Sequence, residues 1–168
     1  MCSSRPAPSS TVTVICARPS STKFCNAGAN SIDEALAQLT REWLTKALHY
    51  LQTARITAGA TDGPLDTAIY HCQQAAEKTV KDWLTASNVE FEKTHDIRRL
   101  VRQALEVLPE FTRFTGAAEL LTPYVSSFRY PGLTDDPMPS REEFDAALQH
   151  AQTIYDFVVN LLPAQARP

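Results

Sequence analysis

Apolar residues recur every three or four positions in successive stretches from Ser31 almost to the C-terminus, and this spacing restricts the chain to packed helices. Positions three and four apart share one side of an α-helix, so each stretch has a face that must be buried. We find no convincing stretch with the alternation of a strand. The sequence therefore predicts an all-α fold, a five-helix and mostly antiparallel bundle.

The apolar stripes predict which residues form the core. In the first helix the stripe is Leu36, Leu39, Trp43, Ala47, Leu51 and Ala54. In the second helix, which we expect to begin near Pro64, it is Leu65, Ala68, Ile69, Cys72, Ala76, Thr79, Val80 and Trp83. At 100° per residue Gln74, Lys78 and Lys81 lie on the opposite face, and Gln73 and Glu77 flank the apolar one.

The remaining helices have similar stripes and recognisable ends. Thr94 is the expected N-cap of a third helix, and a fourth helical region covers roughly residues 111–128. Ser140 with Glu143 forms a capping box that starts the last helix. The core of that helix is expected to be Phe144, Ala147, Ala151, Ile154, Val158 and Leu161.

Composition separates two regions and limits the function classes. Residues 1–30 are rich in Ser, Thr, Pro and Ala without sustained periodicity, so we expect a disordered or non-domain segment before a helical domain at 31–168. The net charge of −3 gives no general electrostatic case for nucleic acid. The four cysteines lack CxxC spacing, and no stretch is apolar for long enough to cross a membrane. We predict a reduced, cytoplasmic protein.

Four segments in order resemble the HEPN domain family: AIYHCQQAAEKTVKDWL (68–84), THDIRRLV (94–101), YVSSFRYPG (124–132) and a final Ala-rich helix. The resemblance covers about residues 33–162. It implies a helical bundle that pairs into a homodimer. It also implies a separate minimal nucleotidyltransferase as partner, in some cases as a toxin–antitoxin pair. A large subset of the family are metal-independent ribonucleases with an arginine and, four to six residues further on, a histidine.

This chain departs from that ribonuclease motif. Arg129 matches the arginine, but the histidine positions hold Thr134, Asp135 and Asp136. Threonine cannot transfer protons as imidazole does near neutral pH, and two carboxylates repel an RNA phosphate. We therefore predict no catalytic residue and no ribonuclease activity.

Arg129 has two interpretations. Tyr130 precedes a proline, so the helix should end near Arg129, where a cation suits the helix dipole or forms a salt bridge to an acid such as Glu77. The family resemblance favours phosphate or partner binding instead. The predicted nucleotide- or partner-binding set is Arg129, Tyr130, Glu77, Lys78, Lys81 and His95. His95 itself is expected to pack and to form hydrogen bonds.

Metal and cofactor sites are not expected. His71 and Cys72 are adjacent on a helix and point 100° apart, and neither has a ligand-type neighbour four residues on. The position of Cys72 on the apolar face predicts burial and not a nucleophile. The function expected is a nucleotide-binding or accessory subunit that acts with a nucleotidyltransferase and does not cut RNA. The alternatives are an endoribonuclease toxin that uses Arg129, with RNA as its ligand, and a plain helical interaction module.

Overall fold

The structure, a computed structural model, describes residues 31–128 and 138–168, with side chains from Glu34 onward. The α-helices of these residues are α1 (Ser31–Gly59), α2 (Leu65–Ala86), α3 (Ile97–Val107), α4 (Thr115–Leu121) and α5 (Arg141–Leu161). Short 3₁₀ segments cover Pro109–Phe114, Thr122–Val125 and Ala164–Ala166. The predicted all-α bundle is confirmed. The segment at 1–30 lies outside the described residues, and its assignment stays a prediction.

Helix α2 is the centre of the bundle. It packs against α1 and α5 along its length and also contacts α3 and α4. Its predicted apolar face is buried, with Cys72, Ala76 and Val80 fully inaccessible to solvent. Gln74 and Lys81, which lie on the opposite face, are buried as well. Neighbouring helices and the segment before α3 cover α2 on more than one side, so its polar residues are also enclosed.

The core stripes of α1 and α5 are correct for most of their length and wrong at two points. Leu39 is 42% exposed and Trp43 is only partly buried, whereas Thr40 and Leu44 are buried in their place. A shift of one residue corresponds to a 100° rotation, so the first half of α1 turns a different face inward. At the end of α5, Leu161 is 43% exposed, and Leu162 is buried instead.

The helix ends follow local chemistry. Ser140 and Glu143 form the predicted capping box at the start of α5. The predicted cap of α3 is wrong, because the Asp96 side chain, and not Thr94, accepts hydrogen bonds from the backbone of Arg98 and Arg99. Thr94 has a different role, since its Oγ1 accepts from the backbone N–H of Asp96 at 3.0 Å. The two side chains together shape the turn that leads into α3.

The predicted fourth helical region is interrupted. Its first part is the 3₁₀ segment Pro109–Phe114, then α4 follows, and Thr122–Val125 is again a 3₁₀ segment. Pro109 and Pro123 lie in the two 3₁₀ segments, and proline has no backbone N–H for an α-helical hydrogen bond. This region brings Phe111 and Phe114 into an aromatic cluster with Trp83 and Phe157.

Candidate functional site

Four of the six predicted site residues meet at one place. Glu77, Lys78 and Lys81 lie on α2, and His95 lies two residues before α3. The segment between the two helices passes beside α2 and carries His95 to Glu77. The other two predicted residues, Arg129 and Tyr130, lie outside the described residues. Their role in binding stays a prediction, as does that of the four.

Glu77 is the centre of this cluster, and its side chain has no solvent exposure. Its Oε1 accepts from Lys81 Nζ at 2.7 Å and lies 3.5 Å from Lys78 Nζ. Its Oε2 lies 3.0 Å from His95 Nδ1 and accepts from Gln73 Nε2 at 3.2 Å. A buried carboxylate is stable only when it is paired and hydrogen-bonded, and both oxygens of Glu77 meet that condition.

The surroundings of Glu77 keep it ionised. Burial by itself raises the pKa of a carboxyl group, because it disfavours the charged form. The hydrogen bonds from Lys81 and His95 and the charges of Lys81 and Lys78 outweigh that effect, so the pKa of Glu77 lies below its usual value. Glu77 therefore acts as a fixed negative charge that holds cationic and hydrogen-bonding groups around it.

Two glutamines complete the network, and the sequence analysis did not include them in the site. Gln73 Nε2 also donates to the backbone oxygen of His95 at 3.2 Å, and Gln74 Nε2 donates to Gln73 Oε1 at 2.6 Å. Both glutamines are buried. Gln73 precedes Glu77 by four positions, one helical turn, and that spacing is the feature of the sequence that could have identified it.

The groups that contact Glu77 differ in their access to solvent. The side chain of Lys81 is 10% exposed, that of Lys78 is 21% exposed, and that of His95 is 66% exposed. His95 thus forms a hydrogen-bond contact, as expected, whereas the packing also expected of it is limited because most of its side chain is exposed. Two lysines surround one carboxylate, so the cluster keeps a positive charge, which Lys78 presents to solvent beside the exposed His95 ring.

Trp43 of α1 adds an aromatic surface to the cluster. Lys78 Nζ lies 5.3 Å from the centroid of the Trp43 ring, a distance at which a cation is attracted to the ring face. Trp43 is partly buried, although the sequence placed it in the core. It lies on an open part of the α1 surface, beside Leu39, Glu42 and Lys46.

Other reactive side chains of α2 do not join this cluster. Cys72 is buried, and burial raises the pKa of its thiol to about 12, so it is not a nucleophile. Burial also lowers the pKa of His71. Within residues 34–128 and 138–168, no group of three or more His, Cys, Asp or Glu side chains is placed to hold a metal ion.

Asp82 is a second buried carboxyl group on α2, and the sequence analysis did not identify it. It has no solvent exposure, and neither carboxyl oxygen has a hydrogen-bond partner among the described residues. Burial raises its pKa to about 8. At neutral pH Asp82 is therefore mostly protonated, in contrast to Glu77 five residues earlier.

The site is built where α2 meets α1 and the segment before α3. Its groups are two lysines, a histidine and a tryptophan around one buried carboxylate. Such groups can bind an anion and stack on an aromatic ring. Among the described residues, none of the helices has the length and apolar character of a membrane span.

Comparisons with known proteins agree with this architecture. The crystal structure of TT1696 from Thermus thermophilus is similar, with a TM-score of 0.62 and 31% sequence identity over 73% of this chain and 98% of that one. A search of curated proteins gave no match. The model of the HEPN domain matches residues 40–162, from α1 to the end of α5 and including the Glu77 cluster. The chain therefore belongs to the HEPN domain family.

Proposed function

We propose that the protein is a nucleotide-binding accessory subunit that acts in the cytoplasm with a separate minimal nucleotidyltransferase and does not cut RNA. The observation that carries this proposal is the Glu77 cluster, in which one buried carboxylate holds Lys78, Lys81 and His95 together. The family resemblance supplies the kind of partner, including the toxin–antitoxin pairing found in part of the family.

The cluster supports an anionic ligand for electrostatic reasons. Glu77 neutralises only one of the two lysines, and it is itself inaccessible to solvent. A phosphate group at the surface would therefore meet Lys78 and the His95 ring before it meets the carboxylate. Charge-assisted hydrogen bonds of this kind are about twice as strong as neutral ones.

The absence of RNA cleavage is proposed from the sequence after Arg129. Thr134, Asp135 and Asp136 occupy the positions at which the ribonuclease motif requires a histidine. Neither a hydroxyl group nor an ionised carboxylate replaces an imidazole that exchanges protons near pH 7. A binding role needs no such group, so it agrees better with these residues.

Calorimetric titration with ATP tests nucleotide binding. We expect the wild type to bind and Lys78→Gln to bind about ten- to hundredfold more weakly, because a hydrogen bond to a charged group contributes about 1.5–3 kcal/mol. Arg102→Gln is the matched control, since it removes one exposed positive charge on α3. Absence of binding by the wild type, or equal loss in both variants, would contradict a nucleotide site at the cluster.

Light scattering and co-purification test the assembly. Leu39, Ile56, Val107, Met138 and Leu161 are large apolar residues that are at least 42% exposed in the single chain. We expect a homodimer at micromolar concentration with an interface above ~1,000 Å². We also expect a stable complex with a nucleotidyltransferase encoded in a neighbouring gene. A monomer mass would reject the dimer, and failure to co-purify would reject the partner.

An endoribonuclease is the second candidate, and one contact favours it. A carboxylate at Nδ1 orients an imidazole and leaves Nε2 to accept a proton, as in many proton-transfer sites, and Glu77 and His95 have this arrangement. Incubation of RNA with the protein and EDTA decides between the candidates. Cleavage that is lost in both His95→Ala and Arg129→Ala would replace the first proposal. If neither nucleotide nor RNA is bound, a helical interaction module remains.

A further inference from the structure

The contact between Glu77 and His95 fixes which nitrogen of the imidazole ring carries hydrogen. Glu77 Oε2 lies 3.0 Å from His95 Nδ1. Although burial raises it, the pKa of Glu77 lies below its usual value because Lys81 and His95 form hydrogen bonds to the carboxylate. An ionised carboxylate can only accept a hydrogen bond, so Nδ1 must donate. The neutral ring therefore holds its one hydrogen on Nδ1 and has a lone pair on Nε2.

Buried amide groups hold His95 in this position. Gln73 Nε2 donates to Glu77 Oε2 and to the backbone oxygen of His95, both at 3.2 Å. The orientation of this amide is itself fixed, because Gln73 Oε1 accepts from Gln74 Nε2 at 2.6 Å. The ring and the backbone of His95 are thus attached to α2 at two points. Rotation of the ring would remove a donor from a carboxylate that has no solvent exposure, which is unfavourable.

The other ring nitrogen, Nε2, is the one that His95 offers to a ligand. The His95 side chain is 66% exposed, although its Nδ1 contacts a carboxylate with no exposure. Lys78 Nζ lies 3.5 Å from the second oxygen of the same carboxylate, so an anion at Lys78 is also close to the ring. A lone pair on Nε2 repels such an anion, whereas a protonated Nε2 donates a charge-assisted hydrogen bond to it.

We propose that a phosphate group binds at the Glu77 cluster together with one proton, which is taken up by His95 Nε2. The inference deepens the proposed function and rests on it. It makes His95 a residue that determines specificity, because the charged ring selects anions and the neutral ring selects hydrogen-bond donors. Histidine is the side chain whose charge ordinarily changes between about pH 5 and pH 8, so nucleotide binding should strengthen as the pH falls through that range.

The charges around His95 agree with such coupling. The charged residues of the adjoining elements are Glu77, Lys78 and Lys81 of α2, Glu92, Lys93 and Asp96 of the segment before α3, and Arg98 and Arg99 of α3. Asp96 lies 2.9 Å from Arg98, and Glu92 lies 3.0 Å from Arg99, so both of these acids are paired with arginines. The charge of Lys78 opposes protonation of the ring, and a bound phosphate relieves this repulsion.

A long-range ¹H–¹⁵N NMR spectrum of the full chain near pH 8, where an ordinary imidazole is neutral, tests the position of the hydrogen. We expect the resonances of His95 to show a protonated Nδ1 and an unprotonated Nε2. His95→Gln identifies these resonances by their loss. A hydrogen on Nε2 would overturn the inference at its first step, because that ring could donate to a phosphate without taking up a proton.

Calorimetric titration with ATP, with EDTA present and in buffers of different ionisation enthalpy, counts the protons that accompany binding. Near pH 7.5 we expect the wild type to take up as much as about one proton more per ATP than His95→Gln, because the ring has one free site. Protonation of ATP itself cancels in this difference. As the pH falls, the ratio of the two affinities should increase, by at most about tenfold per pH unit. His49→Gln changes an exposed histidine of α1 and should match the wild type.

The outcomes separate this inference from the proposal beneath it. Additional proton uptake that is lost in His95→Gln and kept in His49→Gln would establish the inference. Equal proton uptake by the wild type and His95→Gln, with ATP bound by both, would overturn it and leave the nucleotide site intact. No binding of ATP by the wild type would overturn the nucleotide site and the coupled proton uptake together.

Discussion

Glu77 Oε2 and His95 Nδ1 lie 3.0 Å apart, although the two residues are separated by eighteen positions and belong to different elements. Gln73 strengthens the same junction, because its side chain donates to both the Glu77 carboxylate and the His95 backbone oxygen. The segment before α3 is thus fastened to α2 by polar contacts at a fully buried carboxylate. The stability of the fold and the shape of the candidate site depend on the same atoms.

Removal of Lys81 should destabilise the protein markedly. Lys81→Ala takes the closest cation, at 2.7 Å, from a carboxylate that has no solvent exposure. Loss of one partner from a buried ion pair costs about 3 kcal/mol or more, because the remaining charge is left uncompensated. Urea denaturation measures the loss. The control Arg102→Ala, on the exposed face of α3, should change stability by less than about 0.5 kcal/mol.

The double variant Glu77→Gln/Lys81→Gln isolates the cause. It removes the buried charge together with its partner, so it should cost less than the sum of the two single glutamine variants. If the three measurements were additive, the pairing of Lys81 with Glu77 would not explain the loss of stability.

Asp82 should make the stability of the protein fall as pH rises. Its pKa is about 8 in the folded chain, raised by burial, whereas an aspartate in an unfolded chain has a pKa of about 3.9. Between these values the folded state retains a proton that the unfolded state loses, so folding becomes less favourable with each pH unit. Asp82→Asn removes this effect.

Thermal melts from pH 4 to pH 8 measure the role of Asp82. Relative to the wild type, Asp82→Asn should gain up to about 1.4 kcal/mol of stability per pH unit across that window. The exposed Asp62 gives the control, and Asp62→Asn should follow the wild type at every pH. Parallel stability curves for the wild type and Asp82→Asn would show that Asp82 is ionised at neutral pH.

Substitution of Arg129 distinguishes between two roles of its side chain, the binding of an anionic ligand and a favourable charge at the helix terminus. If its guanidinium binds an anion through paired hydrogen bonds, lysine cannot reproduce them. Arg129→Lys should then weaken binding of ATP by about 1.5–3 kcal/mol with little loss of stability. Calorimetric titration beside thermal melts measures both quantities, with Arg102→Lys as the control. Equal affinities and melting temperatures would assign Arg129 to the helix terminus.

Deletion of residues 1–30 should leave the domain folded. Among the described residues the first fully buried apolar side chain is that of Leu44, and the helices that form the core all follow it or contain it. We expect the melting temperature to fall by less than about 4 °C, which corresponds to roughly 1 kcal/mol in a domain of this size. A larger decrease would show that the segment contributes to the folded domain.

The local pattern of the sequence determined the helices of this protein and most of its apolar core. Ser140 and Glu143 define the start of α5 because a capping box needs only residues within one helical turn. Apolar spacing in α2 correctly placed Cys72, Ala76 and Val80 in the interior. The resemblance carried by residues 68–84 and 94–101 also identified the residues that meet at Glu77.

Only the tertiary structure decided which polar residues are enclosed. Gln74 and Lys81 face away from the apolar stripe of α2, yet they are buried because other elements cover that side as well. The same packing exposes Leu39 and leaves Trp43 only partly buried on α1, and it leaves Asp82 without a hydrogen-bond partner among the described residues. The apolar periodicity of the sequence indicates one face of one helix, whereas the burial of a side chain depends on how many neighbouring elements surround that helix. That number is a property of the assembled bundle, and it turns Glu77 from a residue beside the apolar face into the buried centre of the candidate site.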